Sequence, residues 1–267
     1  MKEKIIVSFT TWPKRDKFVP IMLESIHNQS MKPDKVIMWL SDEEYPNNAI
    51  PSHLKECIKN KYITDVFFTK NTFAHKRWEA HRKYIDSYII TVDDDIIYEK
   101  DFIKDLYTVS SKNRDKVTVW TTRYNEYDGI IRIDSDVFDR VNMKRNQILS
   151  GLTCFPPNLF PQESFNYCHL RDDYNIKSDD AWVRAWVVKK KLDVIGVYDI
   201  KDKKWKGIPG SRKYGNWEIN KQINEKGVQK VVENFANALV LIDAVSEAKE
   251  LWKNFDIYKC CNKNIKK

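Results

Sequence analysis

A chain of 267 residues with 42% hydrophobic and 13% aromatic side chains, and only seven glycines, can bury a sizeable core, which excludes low-complexity and disordered classes. That length fits one large α/β domain, or such a domain with a helical extension, better than two independent domains. The net charge of +8 favours anionic partners such as nucleoside diphosphates, nucleic acid or an acidic membrane surface, although abundant lysine also serves solubility alone.

Five cysteines, Cys57, Cys154, Cys168, Cys260 and Cys261, show neither a C-x-x-C pair nor zinc-ligand spacing, so a reducing cytoplasm is expected. The opening Met1-Lys-Glu-Lys-Ile-Ile-Val-Ser8 lacks the apolar length of a signal peptide, and the run Ala238-Leu-Val-Leu-Ile242 is far too short to span a bilayer.

Taken in order, Ile5–Phe9 reads as a strand, Thr10-Thr-Trp-Pro-Lys-Arg15 as a loop, and Phe18, Ile21, Met22 and Ile26 as one face of a helix. Hydroxyls and cations in such a first loop can grip a nucleotide, without a glycine-rich phosphate fingerprint. Lys35–Ser41 is a second strand, and Asp42 after it can hold a base or ribose or simply stand in a solvated turn. A short helix over Pro51–Asn60, a third strand at Val66–Phe68 and a helix from about Ala74 to Asp86 follow. On that last helix either Lys76 or Arg77 can reach a diphosphate, while His75 and His81, six apart, share no face and read as surface or packing residues.

Tyr88-Ile-Ile-Thr-Val-Asp93-Asp94-Asp95 is a buried strand ending in three consecutive carboxylates, at the strand end where open α/β sheets carry their chemistry. Crowded like charges resist dehydration unless a cation compensates them. Oxygen ligands suit Mg2+ or Mn2+, and Mg2+ is commonly held by one or two carboxylates together with substrate phosphates. The competing duty of capping the next helix belongs by position to Asp101.

Strands alternating with helices to residue 92 imply a largely parallel sheet and a nucleotide-binding first half. Val117–Thr122 and Ile130–Asp134 read as strands around the turn signal Asp128-Gly129, where alternation stops and a mixed sheet is expected. An irregular aromatic stretch runs from Ser150 to Lys177. The helix opening at Ser178-Asp179-Asp180 is capped by Ser178 or Asp179, leaving an acid free to take a proton from a hydroxyl or to favour the helix dipole. Val194–Tyr198 is a late strand, Lys203–Trp217 a mobile, cationic, ring-bearing loop fit for a lid, and helical patterns at 217–225 and 229–253 form an extension. The rings of Trp182, Trp205 and Trp217 can stack on sugars, whereas Trp186 and Trp120 suit the core.

Five pieces in order carry a resemblance over roughly residues 4 to 190. They are Val7-Ser-Phe-Thr-Thr-Trp-Pro-Lys-Arg15, Leu23 through Ser41, Ile90-Thr-Val-Asp-Asp-Asp-Ile-Ile-Tyr98, Phe155-Pro-Pro157 and Ser178-Asp-Asp-Ala-Trp182. Together they resemble bacterial capsule and surface-polysaccharide glycosyltransferases of the GT-A type. The resemblance implies a GT-A-like, Rossmann-like α/β fold: a mixed, mainly parallel sheet flanked by helices. It would make residues 1–215 a catalytic domain, with 1–112 the nucleotide-binding half and 113–215 the acceptor half, and 216–267 a helical extension packed on it. It implies transfer of a sugar from a nucleoside-diphosphate donor, a UDP-sugar first, to a carbohydrate hydroxyl with inversion, in capsule or lipooligosaccharide synthesis. A cytoplasmic enzyme is expected, with peripheral contact at the inner membrane face and no nucleic-acid partner.

By the same resemblance Asp93-Asp94-Asp95 is the DXD element. Asp95 and Asp93 would take Mn2+ or Mg2+, and Asp93 and Asp94 approach the ribose. Thr10, Thr11, Arg15, Asp42 and Lys76 would line the nucleotide, Asp180 and Asp179 supply the acceptor base, and Trp182 and Trp217 meet the acceptor. The family's glycine-rich run is here Ser150-Gly-Leu-Thr-Cys-Phe155, with one glycine. The last histidine is His169, so another group, a water or the Arg212-Lys213 loop completes the metal and donor site. A nucleotide-sugar or glycan-binding protein without turnover, and a metal-dependent nucleotidyltransferase, are the alternatives.

Overall fold

The computed structural model describes residues 3–122, 130–131, 151–161, 164, 178–199, 205–215, 233 and 236–243. Its first half alternates as the apolar runs demand. Strands β1 (Ile5–Thr10), β2 (Lys35–Ser41), β3 (Asp65–Thr69) and β4 (Tyr88–Val92) are parallel and lie in the order β3-β2-β1-β4. Helices α1 (Val19–His27), α2 (Ser52–Lys59) and α3 (Glu79–Lys83) fall between them in sequence.

After β4 come β5 (Ile96–Tyr98), α4 (Phe102–Lys112), β6 (Val117–Thr122), β7 (Ile130–Ile131), β8 (Leu152–Phe155), α5 (Asp179–Lys189), β9 (Val194–Asp199) and β10 (Trp205–Gly207). The main sheet runs β3-β2-β1-β4-β8-β6-β9-β7. β8 is antiparallel to both β4 and β6, β6 and β9 are parallel, and β7 runs antiparallel to β9. This is a mixed, mainly parallel α/β sheet flanked by helices. β5 and β10 form a separate antiparallel pair.

Strand residues alternate between two buried faces, as expected for a sheet covered on both sides. Ile5, Val7 and Phe9 pack with Met22, Leu23 and Ile26 of α1 and with Phe102 and Leu106 of α4 in one core. Ile6 points the other way, with Ile37, Trp39 and Ile89. A further core joins Trp182 and Trp186 of α5 to Val117, Val119, Phe155 and Trp78, and it takes in Ala238, Leu241 and Ile242 from the helical residues 236–243. Among the described residues no helix is long and apolar enough to cross a membrane.

Four sequence readings change. The helix expected over 74–86 is a 3-10 segment, Phe73–Trp78, followed by the single short helix α3. β6 and β7 are not hairpin partners, because β9 lies between them. The expected lid is anchored: Trp205–Gly207 pairs with β5, and Ile208 is buried in the main core. Asp101 stands at the N-cap of α4, yet its carboxylate makes no cap bond and accepts instead from the Ser30 hydroxyl at 2.5 Å.

His81 illustrates what the core requires of a titratable group. It stacks on Trp78, 4.6 Å between ring centres, and meets Phe155 edge-on. Burial lowers its pKa from 6.5 to about 3. Below the upper value the unfolded chain binds a proton that the folded chain refuses, so stability present above it drains as pH falls towards the lower one. A loss approaching ~1.4 kcal/mol per pH unit is expected over that window. In denaturant titrations from neutral to mildly acidic pH, His81→Leu should flatten this slope relative to wild type.

Candidate active site

The parallel register places the carboxyl ends of β1 and β4 side by side, so the loop Thr11–Arg15 faces Asp93–Asp95. Each aspartate has its own partner. Thr11 donates its hydroxyl to Asp94 Oδ2 at 2.6 Å. Arg15 Nη2 pairs with Asp94 and lies 2.6 Å from Asp95 Oδ1. Arg77 Nη1 donates to Asp93 Oδ1 at 2.6 Å and to the Val92 carbonyl at 3.1 Å.

The other side of the Arg77 fork grips the start of α5. Its Nε donates to Asp179 Oδ2 at 2.7 Å, its Nη2 lies 2.6 Å from the same oxygen, and the Trp78 indole N–H adds a bond of 3.4 Å. Ser178 caps α5 by accepting from the Ala181 N–H at 3.3 Å, which settles the choice of cap. Asp180 is half-buried on the first turn and contributes to the field at Arg77. The Arg77 carbonyl accepts from Ser8 of β1 at 2.7 Å, and the Trp39 indole donates to Ser8 at 3.0 Å.

Four carboxylates, those of Asp93, Asp94, Asp95 and Asp179, thus meet two guanidiniums, leaving an excess of negative charge. Titration follows. Burial, opposed by Arg15 and Thr11, pushes the Asp94 carboxyl up to about 6. Burial likewise raises Asp95 against the pull of Arg15. Burial works to lower the pKa of Arg77, but Asp179 and then Asp93 outweigh it and hold the guanidinium above its ordinary value. Asp93 and Asp95 are the more open carboxylates, with side chains 35% and 22% exposed against 6% for Asp94.

Several residues fall elsewhere than expected. Lys76, not Arg77, is turned from the aspartates: its ammonium pairs with Glu44 at 3.1 Å and donates to Asn71 at 3.2 Å, and burial lowers its pKa. Successive residues of a 3-10 turn point about 120° apart, which separates these two cations. Thr10 donates to the Trp39 carbonyl at 2.7 Å and so ties β1 to β2. Asp42 is exposed in the turn after β2, a position consistent with either of its expected roles. Trp182 corrects the acceptor assignment: it is 2% exposed, and its indole N–H donates to the Ser164 carbonyl at 2.8 Å, leaving no open ring face. Trp217 lies outside the described residues. Trp186 and Trp120 are in the core as expected, at 4% and 1% exposure.

Arg212 and Lys213 are exposed on a 3-10 turn, Arg212–Tyr214. Their neighbours reach the carboxylates instead. The Ile208 N–H donates to the Asp95 carbonyl at 2.8 Å, and the buried Ser211 hydroxyl lies against the Asp95 carboxylate. Tyr214 returns to the first loop, its hydroxyl 3.4 Å from the Lys17 ammonium.

Two site residues escape the sequence reading, and Arg77 enters it only as the alternative to Lys76. Tyr98, fully buried, accepts the Asp93 N–H at 2.7 Å, and its hydroxyl lies 3.0 Å from the Gly151 carbonyl oxygen. Gly151 stands against Asp93 because β8 pairs Leu152 with Val92. A Cβ there would lie 2.0 Å from the Asp93 carboxyl carbon. The single glycine of that stretch is the signal that could have been read.

No protein-family model matches the chain, and no curated protein matches it. Solved structures of S. aureus TarS show a distant likeness. The structure of TarS 1-349 has 14% identity and a TM-score of 0.46 over 96% of this chain and 75% of that one. Its complex with UDP gives 13% and 0.48 over 94% and 78%, and its complex with UDP-GlcNAc 12% and 0.46 over 96% and 77%.

Gly151→Ala is expected to leave a folded protein, since the Asp93 carboxylate can swing into solvent, but to break the Asp93–Arg77 pair. Calorimetry should show only a small change in melting temperature relative to wild type.

Proposed function

We propose that the chain is a glycosyltransferase that moves a sugar from a nucleoside-diphosphate donor, a UDP-sugar first, to a carbohydrate hydroxyl in surface-polysaccharide synthesis, with inversion. The observation that carries this reading is the convergence of Asp93, Asp94 and Asp95 with Arg15, and across Arg77 with Asp179 and Asp180, at the carboxyl edge of a parallel sheet. An open carboxylate pair beside exposed cations suits a diphosphate, and a second acidic pair beyond it suits deprotonation of an acceptor.

The donor set fits a hard divalent cation. Asp93 and Asp95 present open oxygens, and the cluster carries uncompensated negative charge. Among the described residues no three His, Cys, Asp or Glu side chains gather for a metal; an ion held by two carboxylates would complete its shell with substrate phosphates. Asp95 and Asp93 would hold Mn2+ or Mg2+, and when bound the ion supplies Lewis-acid stabilisation of the leaving diphosphate.

The residues of the chain divide the remaining work. Arg15 and the exposed Arg212 and Lys213 neutralise the departing diphosphate. Asp179 is engaged by three N–H donors and positions Arg77 and the start of α5. Asp180, next to it on the first turn, takes the acceptor proton. Gly151 and Tyr98 keep Asp93 against Arg77.

Incubation of purified protein with UDP-sugars, Mn2+ and a panel of oligosaccharide acceptors tests the reading. Release of nucleoside diphosphate with a product of inverted anomeric configuration is expected. Pyrophosphate release would support a nucleotidyltransferase, and saturable binding without donor consumption a binding protein. Asp180→Asn should lower kcat by ~10²–10⁴-fold with little change in donor KM. Asp95→Asn should weaken both turnover and metal dependence.

A further inference from the structure

We propose that Arg15 is a latch on the carboxylate cluster, competing with a divalent cation for Asp95, so that cation and nucleoside diphosphate bind as a pair. The inference rests on the donor and metal reading given above. The two arginines of the site differ in how firmly they are held. Arg77 spends its fork on Asp93, the Val92 carbonyl and Asp179, and its side chain is 6% exposed. Arg15 is 15% exposed, bridges Asp94 and Asp95 through Nη2, and its buried Nε–H has no hydrogen-bond partner among the described residues.

Arg15 therefore has donor capacity to spare, and it is the arginine able to turn. Its backbone stays fixed by its N–H bond to the Trp12 carbonyl at 2.8 Å. Asp94 also stays in place without it, because Thr11 holds the second oxygen at 2.6 Å. A cation arriving alone meets Asp95 and Asp93 each already paired with a guanidinium, with too few protein oxygens to fill its shell. A diphosphate changes both terms. Its oxygens complete the cation's coordination, and they offer the guanidinium a bidentate partner in exchange for Asp95. Arg15 thereby couples the two ligands.

The test is Mn2+ binding by the full chain, followed by electron paramagnetic resonance with and without UDP, for wild type, Arg15→Gln and Arg15→Lys. Wild type should bind Mn2+ alone about tenfold or more weakly than with UDP. Arg15→Gln should gain about tenfold in affinity for Mn2+ alone and lose most of the UDP effect, with Arg15→Lys between the two. The double variant Arg15→Gln, Asp94→Asn leaves no unpaired buried charge at Asp94, and it should show the same gain if the single variant does not fold. Equal Mn2+ affinity of wild type and both Gln variants without nucleotide, with the UDP effect intact, overturns the latch and leaves the transferase reading standing. Absence of Mn2+ binding in every protein, with or without UDP, overturns both.

Discussion

Arg77 joins elements that the sequence sets far apart. Its side chain ties the end of β4 to the first turn of α5, reaching an acid 102 residues further along the chain, while its own carbonyl is held by Ser8 of β1. Burying a guanidinium is costly, and only a complete set of partners makes it tolerable; removing one partner of such a buried pair typically costs ~3–5 kcal/mol. Here Asp93, Asp179 and the Val92 carbonyl supply that set. The two halves of the sheet meet along β4 and β8, and this clamp fixes the acids of both halves relative to each other.

Chemistry collects at this edge for electrostatic reasons as well as topological ones. The parallel strands deliver their carboxyl ends to one side, and two guanidiniums compensate only part of the acidic charge gathered there. The residual charge is spread unevenly. Asp94 is sealed by Thr11 and Arg15 and behaves as a structural acid, whereas Asp93 and Asp95 keep oxygens open towards a ligand. The segment 205–215 closes this arrangement from the far end of the chain, with Ile208 as an apolar anchor and Ser211 against Asp95. That is a stiffer construction than its glycines and proline suggest.

Much of this was legible from periodicity. The runs Ile5–Phe9, Lys35–Ser41 and Tyr88–Val92 announce buried strands because each is β-rich and apolar on both faces, and Ser178 announces a helix start because its hydroxyl can serve an orphan N–H. The crowded aspartates announced a site by their electrostatic cost. Which cation would answer each of them was not legible: Lys76 and Arg77 are adjacent, and only the 3-10 geometry decides that one turns to Glu44 and the other to Asp93. Tyr98 and Gly151 were hidden for a similar reason, since their roles arise from the β4–β8 register and not from local pattern. Trp182 shows the converse error, in which an aromatic side chain suited to sugar stacking is claimed by the core beneath α5.

The most direct test of the account is the thermal stability of wild type and Asp95→Ala with UDP and with UDP-sugars, each in the presence and absence of Mn2+. Stabilisation of wild type should need nucleotide and Mn2+ together and disappear in the variant, because a ligand that binds only the folded state raises its melting temperature. Equal stabilisation of both proteins, or none in either with any nucleotide, would contradict the assignment of the aspartate cluster as the donor site.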